Sequence, residues 1–453
     1  MISFGIQGFI KDYLIEFFNK NFFNRDLKDV VTEYERVIKN CLNKEEVDSS
    51  HIIALHKLGY LPIKICSVEE GTLIPIRVPM LTIENTIDEF FWVTNYLETL
   101  MSCMLWQPIT SATISREYYK ILEGYYKKTV DNKEIEEFII SSQGHDFSMR
   151  GMSSLESAKT SGAGHLVNFV GTDSIPAIMY LEKNYNANIE KEIIGVSIPS
   201  TEHSVQCAYG QEKELDTYKR LITEIYPTGL VSIVSDTWDL WNVINNYLPQ
   251  LKDIIMNRKG KVVIRPDSGN PVDIICGNPN GKTESERKGV IQLLWEQFGG
   301  TYTSKGYKLL DEHIGCIYGD AITLERCNEI CEKLAEKGFA SINITLGIGA
   351  YSYQYTTRDT FGFALKSTYA VINSEEKFLF KNPITDNGVK KSQRGKVYVY
   401  KKLETGDIKY RDSLTQKQYD EFEKSNLLKP IFENGVLLKE TSLKEIRRKI
   451  KMA

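Results

Sequence analysis

The stretch Gly195-Val-Ser-Ile-Pro-Ser-Thr-Glu-His203-Ser204 joins an apolar run to a Pro-Ser-Thr turn and a histidine. We interpret the apolar run, Ile193 to Ile198, as a β-strand that delivers His203 at its C-terminal end. Two further apolar runs also end on charged or hydroxyl residues, Val231 to Asp236 and Lys261 to Asp267. Because the carboxyl ends of parallel strands meet on one side of a sheet or barrel, these runs predict one shared site.

Short β-rich runs alternate with helical segments between residues 141 and 367. The runs Ile314 to Ile317 and Ile342 to Leu346 alternate with helical periodicity over Asp239 to Met256 and Leu324 to Lys337. This rhythm is typical of parallel strands joined by crossover helices. Within the α/β class, an irregular parallel β/α barrel is favoured over a doubly wound sheet, because polar residues follow so many of the strands.

Residues 1–140 together with 368–453 are expected to form a second, α+β domain. Helical periodicity covers Phe4 to about Cys41 and Asp88 to Trp106. Prolines at 62, 75 and 79 accompany β-rich runs between Leu61 and Ile83, and such prolines predict edge strands. Further along, antiparallel strands are expected over Phe363 to Ile372, Val397 to Lys402 and Ile408 to Arg411, followed by a basic helix over Ser442 to Lys451.

Composition narrows the class of protein. The chain has 56 Lys and Arg against 60 Asp and Glu, a net charge of -4 that argues against a general nucleic-acid or membrane-surface binder. Its eight cysteines include no Cys-x-x-Cys pair, so neither a zinc ribbon nor a disulfide framework is predicted. A protein of the reducing cytoplasm fits this pattern best. Charged residues interrupt the apolar N-terminus early, so neither a membrane span nor a cleaved signal is predicted.

The stretch Arg265-Pro-Asp267-Ser-Gly-Asn-Pro271 combines a guanidinium, a carboxylate and a tight turn. An arginine fork binds phosphate oxygens bidentately, and a carboxylate accepts two hydrogen bonds from a vicinal diol, so the pair suits a sugar phosphate. Considered alone, Arg265 and Asp267 could equally form a structural ion pair that binds no ligand. Tyr318-Gly319-Asp320 repeats the carboxylate after another strand.

A second set of residues suits a flat ligand. His145-Asp-Phe147-Ser-Met-Arg150 supplies an aromatic ring and a cation, and Asp173 follows a β-rich run downstream. A ring beside a carboxylate is expected to hold a planar molecule that carries an amide N–H. Metal binding by His145, Asp146 and His165 is an alternative, but their spacing is not that of a zinc site.

Phosphate groups have two further candidate contacts. The Gly347-Ile-Gly349-Ala350 turn offers backbone N–H groups, although a plain turn explains a lone Gly-x-Gly equally well. A sparse basic stretch is either a solvated face or a set of contacts to a small phosphorylated ligand: Arg358, Lys366, Lys381, Lys390, Lys391, Arg394 and Lys396.

Taken together, several fragments resemble the type II phosphoribosyltransferase family, over about Gly5 to Ile450. They are Glu84-Asn-Thr86, Arg150-Gly-x-Ser-Ser154, His165-Leu-Val-Asn-Phe-x-Gly-Thr-Asp173, Pro199-x-x-Glu-His-Ser204, Val234-Ser-Asp236, Arg265 to Pro271, Ser304-Lys-Gly-Tyr-Lys-Leu-Leu310 and Thr357-Arg-Asp359. The resemblance implies transfer of a 5-phosphoribosyl group from phosphoribosyl pyrophosphate to nicotinamide, which yields nicotinamide mononucleotide and pyrophosphate for NAD biosynthesis. It also implies Mg2+ on the pyrophosphate and ATP hydrolysis through a phosphohistidine.

The resemblance also implies residue roles. His203 matches the phosphorylated histidine and Asp236 the carboxylate that orients it, with Arg265 and Asp267 completing the catalytic set. Phe147 matches the ring stacked on nicotinamide, Asp173 the acceptor for its amide, and Arg150 a cation near the ring. Other implied substrate contacts are Ser197, Ser232, Gly319, Asp320, Gly349, Arg358, Lys366, Lys381, Lys390 and Lys396. Family members are head-to-tail homodimers whose sites are shared.

The chain departs from the family pattern at three points. Ala350 replaces a glycine and Ala364 a phosphate-binding serine, which predicts a looser product-phosphate pocket. An opening Asp-Ser-Tyr-Lys segment has no counterpart before Met1, so we expect either weaker nicotinamide binding or a true start upstream. The alternatives are nicotinate as the base, which Asp173 would repel, and a catalytically silent ligand-binding or signalling relative, which the retention of His203, Asp236, Arg265 and Asp267 disfavours.

Overall fold

The computed structural model describes residues 1–319, 321–382, 384–385 and 392–453. This part of the chain divides into two compact units. Unit 1 comprises residues 1–110, 180–187 and 357–453, and unit 2 comprises residues 111–179 and 188–356. The domain limits expected from the sequence, at residues 140 and 367, stay a prediction.

The strands are numbered in chain order. They are β1 (Ile63–Ser67), β2 (Leu81–Asn85), β3 (Gly144–Asp146), β4 (Gly171–Thr172), β5 (Val231–Val234), β6 (Val262–Arg265), β7 (Gly300–Tyr302) and β8 (Lys308–Leu310). After these come β9 (Ile314–Tyr318), β10 (Ile344–Ile348), β11 (Tyr369–Ile372), β12 (Glu375–Phe378), β13 (Lys396–Lys401), β14 (Ile408–Leu414), β15 (Lys429–Glu433) and β16 (Val436–Leu437).

Helices connect and flank these strands. In unit 1 they include Ile6–Phe9 with its π-helical continuations Ile10–Phe17 and Asn19–Phe23, Leu27–Cys41, Ser50–Leu58, Gln416–Phe422 and Leu443–Lys451. In unit 2 they include Glu136–Gln143, Leu155–Leu166, His203–Tyr209, Glu214–Arg220, Leu240–Asn242 with Val243–Tyr247 and Leu248–Asn257, Pro271–Cys276, Glu284–Lys288, Val290–Phe298, Leu324–Glu336 and Ala350–Tyr353. Trp92–Thr129 and Ile175–Asn184 contain residues of both units.

Unit 2 contains a six-stranded parallel sheet in the order β4-β3-β10-β9-β6-β5. A short segment joins its two edge strands, because Val196 bridges Gly171 of β4 and Ser200 bridges Ser232 of β5. The backbone N–H of Val196 donates to Val170 at 2.7 Å, and that of Ser232 donates to Pro199 at 2.8 Å. The predicted irregular parallel β/α barrel is therefore confirmed.

The strand expected over Ile193 to Ile198 is wrong in detail. This stretch makes isolated bridges rather than a ladder, because Pro199 has no N–H and the hydroxyl of Thr201 accepts the N–H of Val234 at 3.0 Å. His203 accordingly begins the helix His203–Tyr209 instead of ending a strand. The histidine still follows the segment that bridges the barrel edges.

The other barrel strands match their predictions within about two residues. β5 and β6 are buried along their whole length, as expected for apolar parallel strands covered on both faces. The helices predicted over Asp239 to Met256 and Leu324 to Lys337 are also present, and Thr323 caps the latter by accepting the N–H of Arg326.

Unit 1 is organised around an antiparallel sheet in the order β16-β15-β1-β2. The proline argument for edge strands is wrong for β1, which lies between two neighbours. Pro62 precedes the first residue of β1, so its missing N–H removes no ladder hydrogen bond. The antiparallel pair expected near residues 397–411 is confirmed as β13 and β14, while the strand expected from Phe363 begins only at Tyr369.

Of two further predicted helices, one differs from expectation and the C-terminal one is confirmed. The helix predicted over Asp88 to Trp106 runs instead from Trp92 to Thr129 and contains Pro108. Its neighbours Leu105 and Ile109 are buried, and packing of this kind opposes the cost of an interior proline. The C-terminal basic helix Leu443–Lys451 buries Leu443, Ile446 and Ile450 along one stripe. Among the described residues, no helix has the length and apolar character needed to cross a membrane.

Candidate active site

His203 faces two carboxylates contributed by the loops after β5 and β6. Its Nε2 lies 3.8 Å from Oδ2 of Asp267 and 4.0 Å from Oδ1 of Asp236. These separations suit an electrostatic interaction and are too long for hydrogen bonds. The His203 side chain is 42% exposed, so a ligand in solution can reach the ring.

Asp236 is held rigidly by the loop after β6. Its Oδ2 accepts hydrogen bonds from the backbone N–H groups of Asp267 at 2.9 Å and Ser268 at 2.7 Å. The hydroxyl of Ser268 donates to the same oxygen at 2.6 Å. The other oxygen, Oδ1, is buried without a hydrogen-bond partner among the described residues and is the one that faces His203.

Arg265 extends from the end of β6 as a buried cation. Its Nη1 donates to the hydroxyl of Ser200 at 3.0 Å, whereas its Nε is buried without a hydrogen-bond partner in the described chain. The absence of a side chain at Gly319 makes room for this group, because a Cβ there would lie 2.4 Å from Oδ1 of Asp267 and 3.2 Å from Nε of Arg265. Arg265, Asp267 and Gly319 therefore form one packed cluster.

The aromatic ring of Phe147 lies in the same part of the barrel. Its centroid is 5.1 Å from the guanidinium carbon of Arg265 and 4.5 Å from the imidazole centroid of His145. A Cβ at Gly347 would meet Cδ2 of Phe147 at 2.6 Å, so glycine is required for the ring to lie there. The cation above the ring is a favourable contact.

Asp173 is linked to this ring through His145 and accepts hydrogen bonds from two donors. Its Oδ1 lies 2.9 Å from Nε2 of His145 and accepts the hydroxyl of Ser197 at 2.5 Å. Burial by itself would raise the pKa of Asp173, but the hydrogen bonds from His145 and Ser197 and the charge of Arg265 together lower it. Asp173 is therefore an anion at neutral pH.

The predicted site residues divide by position. His203, Asp236, Arg265, Asp267, Phe147, Asp173, Ser197 and Gly319 make the contacts above, and Ser232 of β5 contributes a buried hydroxyl without a described partner. Arg150 is exposed in the turn Met149–Gly151, and Gly349 precedes the helical turn Ala350–Tyr353. Asp320 and Lys390 lie outside the described residues.

The remaining predicted basic contacts, Arg358, Lys366, Lys381 and Lys396, belong to unit 1. Lys396 forms an ion pair with Glu84 and lies 5.0 Å from the ring centroid of Tyr369. Arg358 pairs with the adjacent Asp359 at 3.2 Å. Ala350, one of the departures from the family pattern, packs against Gly151. A Cβ added at Gly151 would lie 2.4 Å from the Cβ of Ala350.

Sequence reasoning missed three positioning groups. His145 was considered only as a metal ligand, whereas it contacts Asp173; Ser268 and Thr237 were not considered. Each lies next to a predicted site residue in the sequence: His145 near Phe147, Ser268 after Asp267 and Thr237 after Asp236. That proximity was the signal that could have identified them.

Both ring nitrogens of His165 make hydrogen bonds, Nδ1 with the hydroxyl of Tyr353 at 2.7 Å and Nε2 with the carbonyl of Gly171 at 3.0 Å.

Burial lowers the pKa of His165 to about 4, so it is a neutral structural residue. No group of three or more His, Cys, Asp or Glu side chains in the described ranges is arranged to hold a metal ion.

Comparison with known proteins relates the chain to phosphoribosyltransferases. Residues 142–435 match the sequence model of the nicotinate phosphoribosyltransferase (NAPRTase) family. A nicotinamide phosphoribosyltransferase of Acinetobacter baylyi is 48% identical over 99% of this chain and 88% of its own length. Counterparts bearing the same name in Mycoplasma pneumoniae and Xanthomonas campestris are 41% and 36% identical, over 72% and 86% of this chain and 68% and 79% of their own lengths.

Solved structures share the fold at low sequence identity. Nicotinate-nucleotide pyrophosphorylase from Pyrococcus furiosus aligns with a TM-score of 0.51 and 16% identity, covering 86% of this chain and 80% of its own. Human nicotinic acid phosphoribosyltransferase aligns with a TM-score of 0.51 and 14% identity, covering 100% of this chain and 85% of its own.

Proposed function

The chain belongs to the nicotinate phosphoribosyltransferase family, and from that premise we propose that it transfers the 5-phosphoribosyl group of phosphoribosyl pyrophosphate to nicotinamide. The products are nicotinamide mononucleotide and pyrophosphate, a step of NAD salvage. The observation that carries the choice of base is the anionic Asp173, whose partner His145 lies 4.5 Å, centroid to centroid, from the ring of Phe147. The identity of 48% to a relative named for this activity supports the same choice.

Asp173 discriminates between the two candidate bases by charge. Nicotinamide presents an amide N–H that a carboxylate accepts, whereas nicotinate presents a second anion. Since Oδ1 already receives donors from His145 and Ser197, Oδ2 is the oxygen left for a ligand. A hydrogen bond to a charged acceptor contributes about 1.5–3 kcal/mol, and like-charge repulsion adds to that difference.

The transfer needs charge stabilisation more than proton transfer. The anomeric C–O bond to pyrophosphate breaks, and the ring nitrogen of nicotinamide uses its lone pair to form the new C–N bond. That nitrogen carries no proton, so no general base is required. In this proposal Asp267 and Asp236 stabilise the positive charge that develops on the ribose, and Arg265 binds phosphate oxygens.

ATP is the proposed co-substrate, with His203 as the group that accepts its γ-phosphoryl. His203 is half-exposed, and its Nε2 faces Asp236 and Asp267 at 4.0 and 3.8 Å. A cation formed on the ring by phosphorylation is stabilised by two nearby carboxylates. The supporting observation is therefore the position of this ring against the carboxylates of Asp236 and Asp267.

Mg2+ fits this set of donors in a limited way. Asp236 and Asp267 each have one carboxylate oxygen, Oδ1, that is buried and has no hydrogen-bond partner among the described residues. Carboxylate oxygens suit Mg2+, which commonly takes one or two of them together with phosphate oxygens and water. Bound there, the ion would neutralise charge on the leaving pyrophosphate, which would supply most of its ligands.

A homodimer with shared sites and a cytoplasmic location complete the proposal. Arg358, Lys366, Lys381, Lys390 and Lys396 are then phosphate contacts in the assembled enzyme. The balanced charge and the free cysteines among the described residues support a reducing compartment.

The test is an assay of the purified chain with phosphoribosyl pyrophosphate, Mg2+ and either base, with and without ATP. We expect nicotinamide mononucleotide as the product and a higher rate with ATP. Formation of nicotinate mononucleotide in preference would show that Asp173 does not select the base. Absence of product with both bases would favour a ligand-binding relative.

A further inference from the structure

His145, the middle residue of β3, holds one ring proton in a fixed place. Its Nε2 lies 2.9 Å from Oδ1 of Asp173, and a carboxylate anion can only accept hydrogen bonds. Since the pKa of Asp173 is lowered, Nε2 is the donor and carries a proton whether the ring is neutral or charged. Among the described residues, this contact to Asp173 is the hydrogen bond of the His145 side chain.

The other ring nitrogen, Nδ1, is the atom at which the ring gains or loses charge. It lies against the backbone of β4, because a Cβ added at Gly171 would be 2.9 Å from it. Histidine side chains change charge near neutral pH, and an imidazolium still donates from Nε2. His145 can therefore take up a second proton on Nδ1 while it keeps its hydrogen bond to Asp173.

The neighbouring strands and the helix Leu155–Leu166 bring no further charge against His145. In the sheet it is paired with Gly347 of β10 and Gly171 of β4, neither of which has an ionisable side chain. The helix contributes His165, which is neutral because burial lowers its pKa to about 4. The carboxylate of Asp146, next along β3, accepts the N–H of Ser148 at 2.9 Å. Successive strand residues point to opposite faces, so Asp146 faces away from the His145 ring.

Arg265 reaches the same region from β6. Its guanidinium carbon is 5.1 Å from the ring centroid of Phe147, which in turn is 4.5 Å from the imidazole centroid of His145. The charge of Arg265 also acts on Asp173. Because arginine stays protonated and Asp173 stays ionised near neutral pH, His145 is the group of this set whose charge varies there.

We propose that His145 is a specificity-determining residue that acts through Asp173, so that the preference for nicotinamide over nicotinate weakens when His145 takes up a proton. This inference rests on the proposed function, in which Oδ2 of Asp173 faces the substituent of the base. With a neutral ring, the two side chains together carry one negative charge, which repels the carboxylate of nicotinate. With an imidazolium their net charge is zero, and that repulsion decreases, whereas nicotinamide has no net charge to respond.

The direction with pH follows from these charges. The ratio of kcat/KM for nicotinamide to kcat/KM for nicotinate should be highest where His145 is neutral and should fall on acidification. One unit charge placed a hydrogen bond behind the acceptor is expected to change the ratio about tenfold. Protonation of phosphoribosyl pyrophosphate or of ATP affects both bases alike and cancels in the ratio.

His145→Gln separates the charge of the ring from its hydrogen bond. Glutamine places an amide donor near the position of Nε2 and does not titrate. His313→Gln is the matched control, because His313 also pairs with a carboxylate, its Nδ1 lying 2.7 Å from Oδ1 of Asp311. His313 precedes β9, whereas Asp173 follows β4, so the two pairs lie at opposite ends of the parallel strands. Should His145→Gln fail to fold, which thermal unfolding would reveal, His145→Asn serves as the variant that does not titrate.

The first measurement is the ratio between about pH 6 and 8, where histidine side chains change charge. We expect it to fall about tenfold toward pH 6 in the unmodified chain and in His313→Gln, and to be independent of pH in His145→Gln. A constant ratio in the unmodified chain, or an equal fall in His145→Gln, would overturn the inference while leaving nicotinamide as the substrate. Preference for nicotinate throughout, or no product with either base, would refute the proposed function and this inference with it.

The second measurement follows the nitrogen-15 signals of the His145 ring in histidine-labelled protein over the same range. The chain has six histidines, and His145→Gln identifies the signals of this ring. We expect Nε2 to keep its proton throughout and Nδ1 to gain one as the pH falls. The midpoint should coincide with that of the ratio, because kcat/KM reports the protonation of the free enzyme. A ring that keeps one charge across this range, or that carries its proton on Nδ1 when neutral, would contradict the proposal.

Discussion

Nε2 of His145 lies 2.9 Å from Oδ1 of Asp173, in a pair that sequence reasoning did not anticipate. Ser197 donates to the same oxygen, so both protein donors converge on one side of the carboxylate. The other oxygen makes no hydrogen bond to the described residues, and the side chain remains 45% exposed. The carboxylate is thereby fixed in orientation while keeping one oxygen for a ligand.

Asp173→Asn tests the charge of this group with little change of shape. We expect kcat/KM for nicotinamide to fall about 5- to 10-fold, because one charge-assisted hydrogen bond is replaced by a neutral one that is about 1 kcal/mol weaker. The ratio of kcat/KM for nicotinamide to kcat/KM for nicotinate should also decrease in this variant. Asp216→Asn, at an exposed helical position, is the control. An unchanged preference in Asp173→Asn would assign base selection to another residue.

His203→Ala tests the proposed coupling to ATP. The variant should lose ATP hydrolysis and the acceleration by ATP, because the ring that accepts the phosphoryl group is gone. Initial rates of product formation and of ADP release, each with and without ATP, are the measurements. ATP stimulation as large as that of the unmodified chain would remove His203 from the mechanism.

Gly319→Ala tests the packing of the cluster formed by Arg265, Asp267 and Gly319. The new Cβ would lie 2.4 Å from Oδ1 of Asp267, so the carboxylate must move. We expect kcat/KM to fall at least about 100-fold, as for a misplacement of about 1 Å at a catalytic group. Gly124→Ala is the matched control, because its Cβ meets nothing within 4 Å on the helix Trp92–Thr129. Similar activity in the two variants would show that Asp267 tolerates displacement.

Glu70 makes the stability of the protein depend on pH. Burial raises the pKa of its carboxyl from 4.5 to about 7, although the backbone N–H groups of Gly5 and Gln7 donate to it. A raised pKa means that the folded state binds the proton more tightly, so stability is highest below about pH 4.5 for this group and falls as pH rises toward 7. The expected loss is about 3 kcal/mol.

Urea unfolding of the unmodified chain and of Glu70→Gln between about pH 5 and 8 measures this contribution. The difference in unfolding free energy between the two proteins should change with pH in that window, since glutamine does not titrate. Glu45→Gln, at an exposed position, should leave the slope unaltered. A pH-independent difference for Glu70→Gln would show that Glu70 keeps an ordinary pKa.

The barrel and the cluster around His203 were predictable because their signals are local. Apolar runs such as Val231 to Val234 are buried on both faces, and each ends on the polar residue that the parallel arrangement brings to one side. Arg265, Asp267, Asp236 and His203 converge for that reason. The bridging stretch around Val196 was mistaken for a strand, since its composition does not reveal that only isolated hydrogen bonds form.

Other features depend on tertiary contacts that the sequence does not display. Pro62 suggested an edge strand, yet β1 is central because the proline falls just before the ladder begins. His145 and Asp173 are 28 residues apart, and His203 and Thr237 are 34 apart, so their pairing follows only from the folded barrel. In unit 1, Lys396 forms an ion pair with Glu84. The residue type of Lys396 alone could not indicate this partner.

The ratio of kcat/KM for nicotinamide to kcat/KM for nicotinate, measured on the purified chain with phosphoribosyl pyrophosphate, Mg2+ and ATP, tests the central claim most directly. The anionic Asp173 predicts a ratio of at least about 10 in favour of nicotinamide, from one charge-assisted hydrogen bond. A ratio of one or below would contradict the assignment of nicotinamide as the substrate.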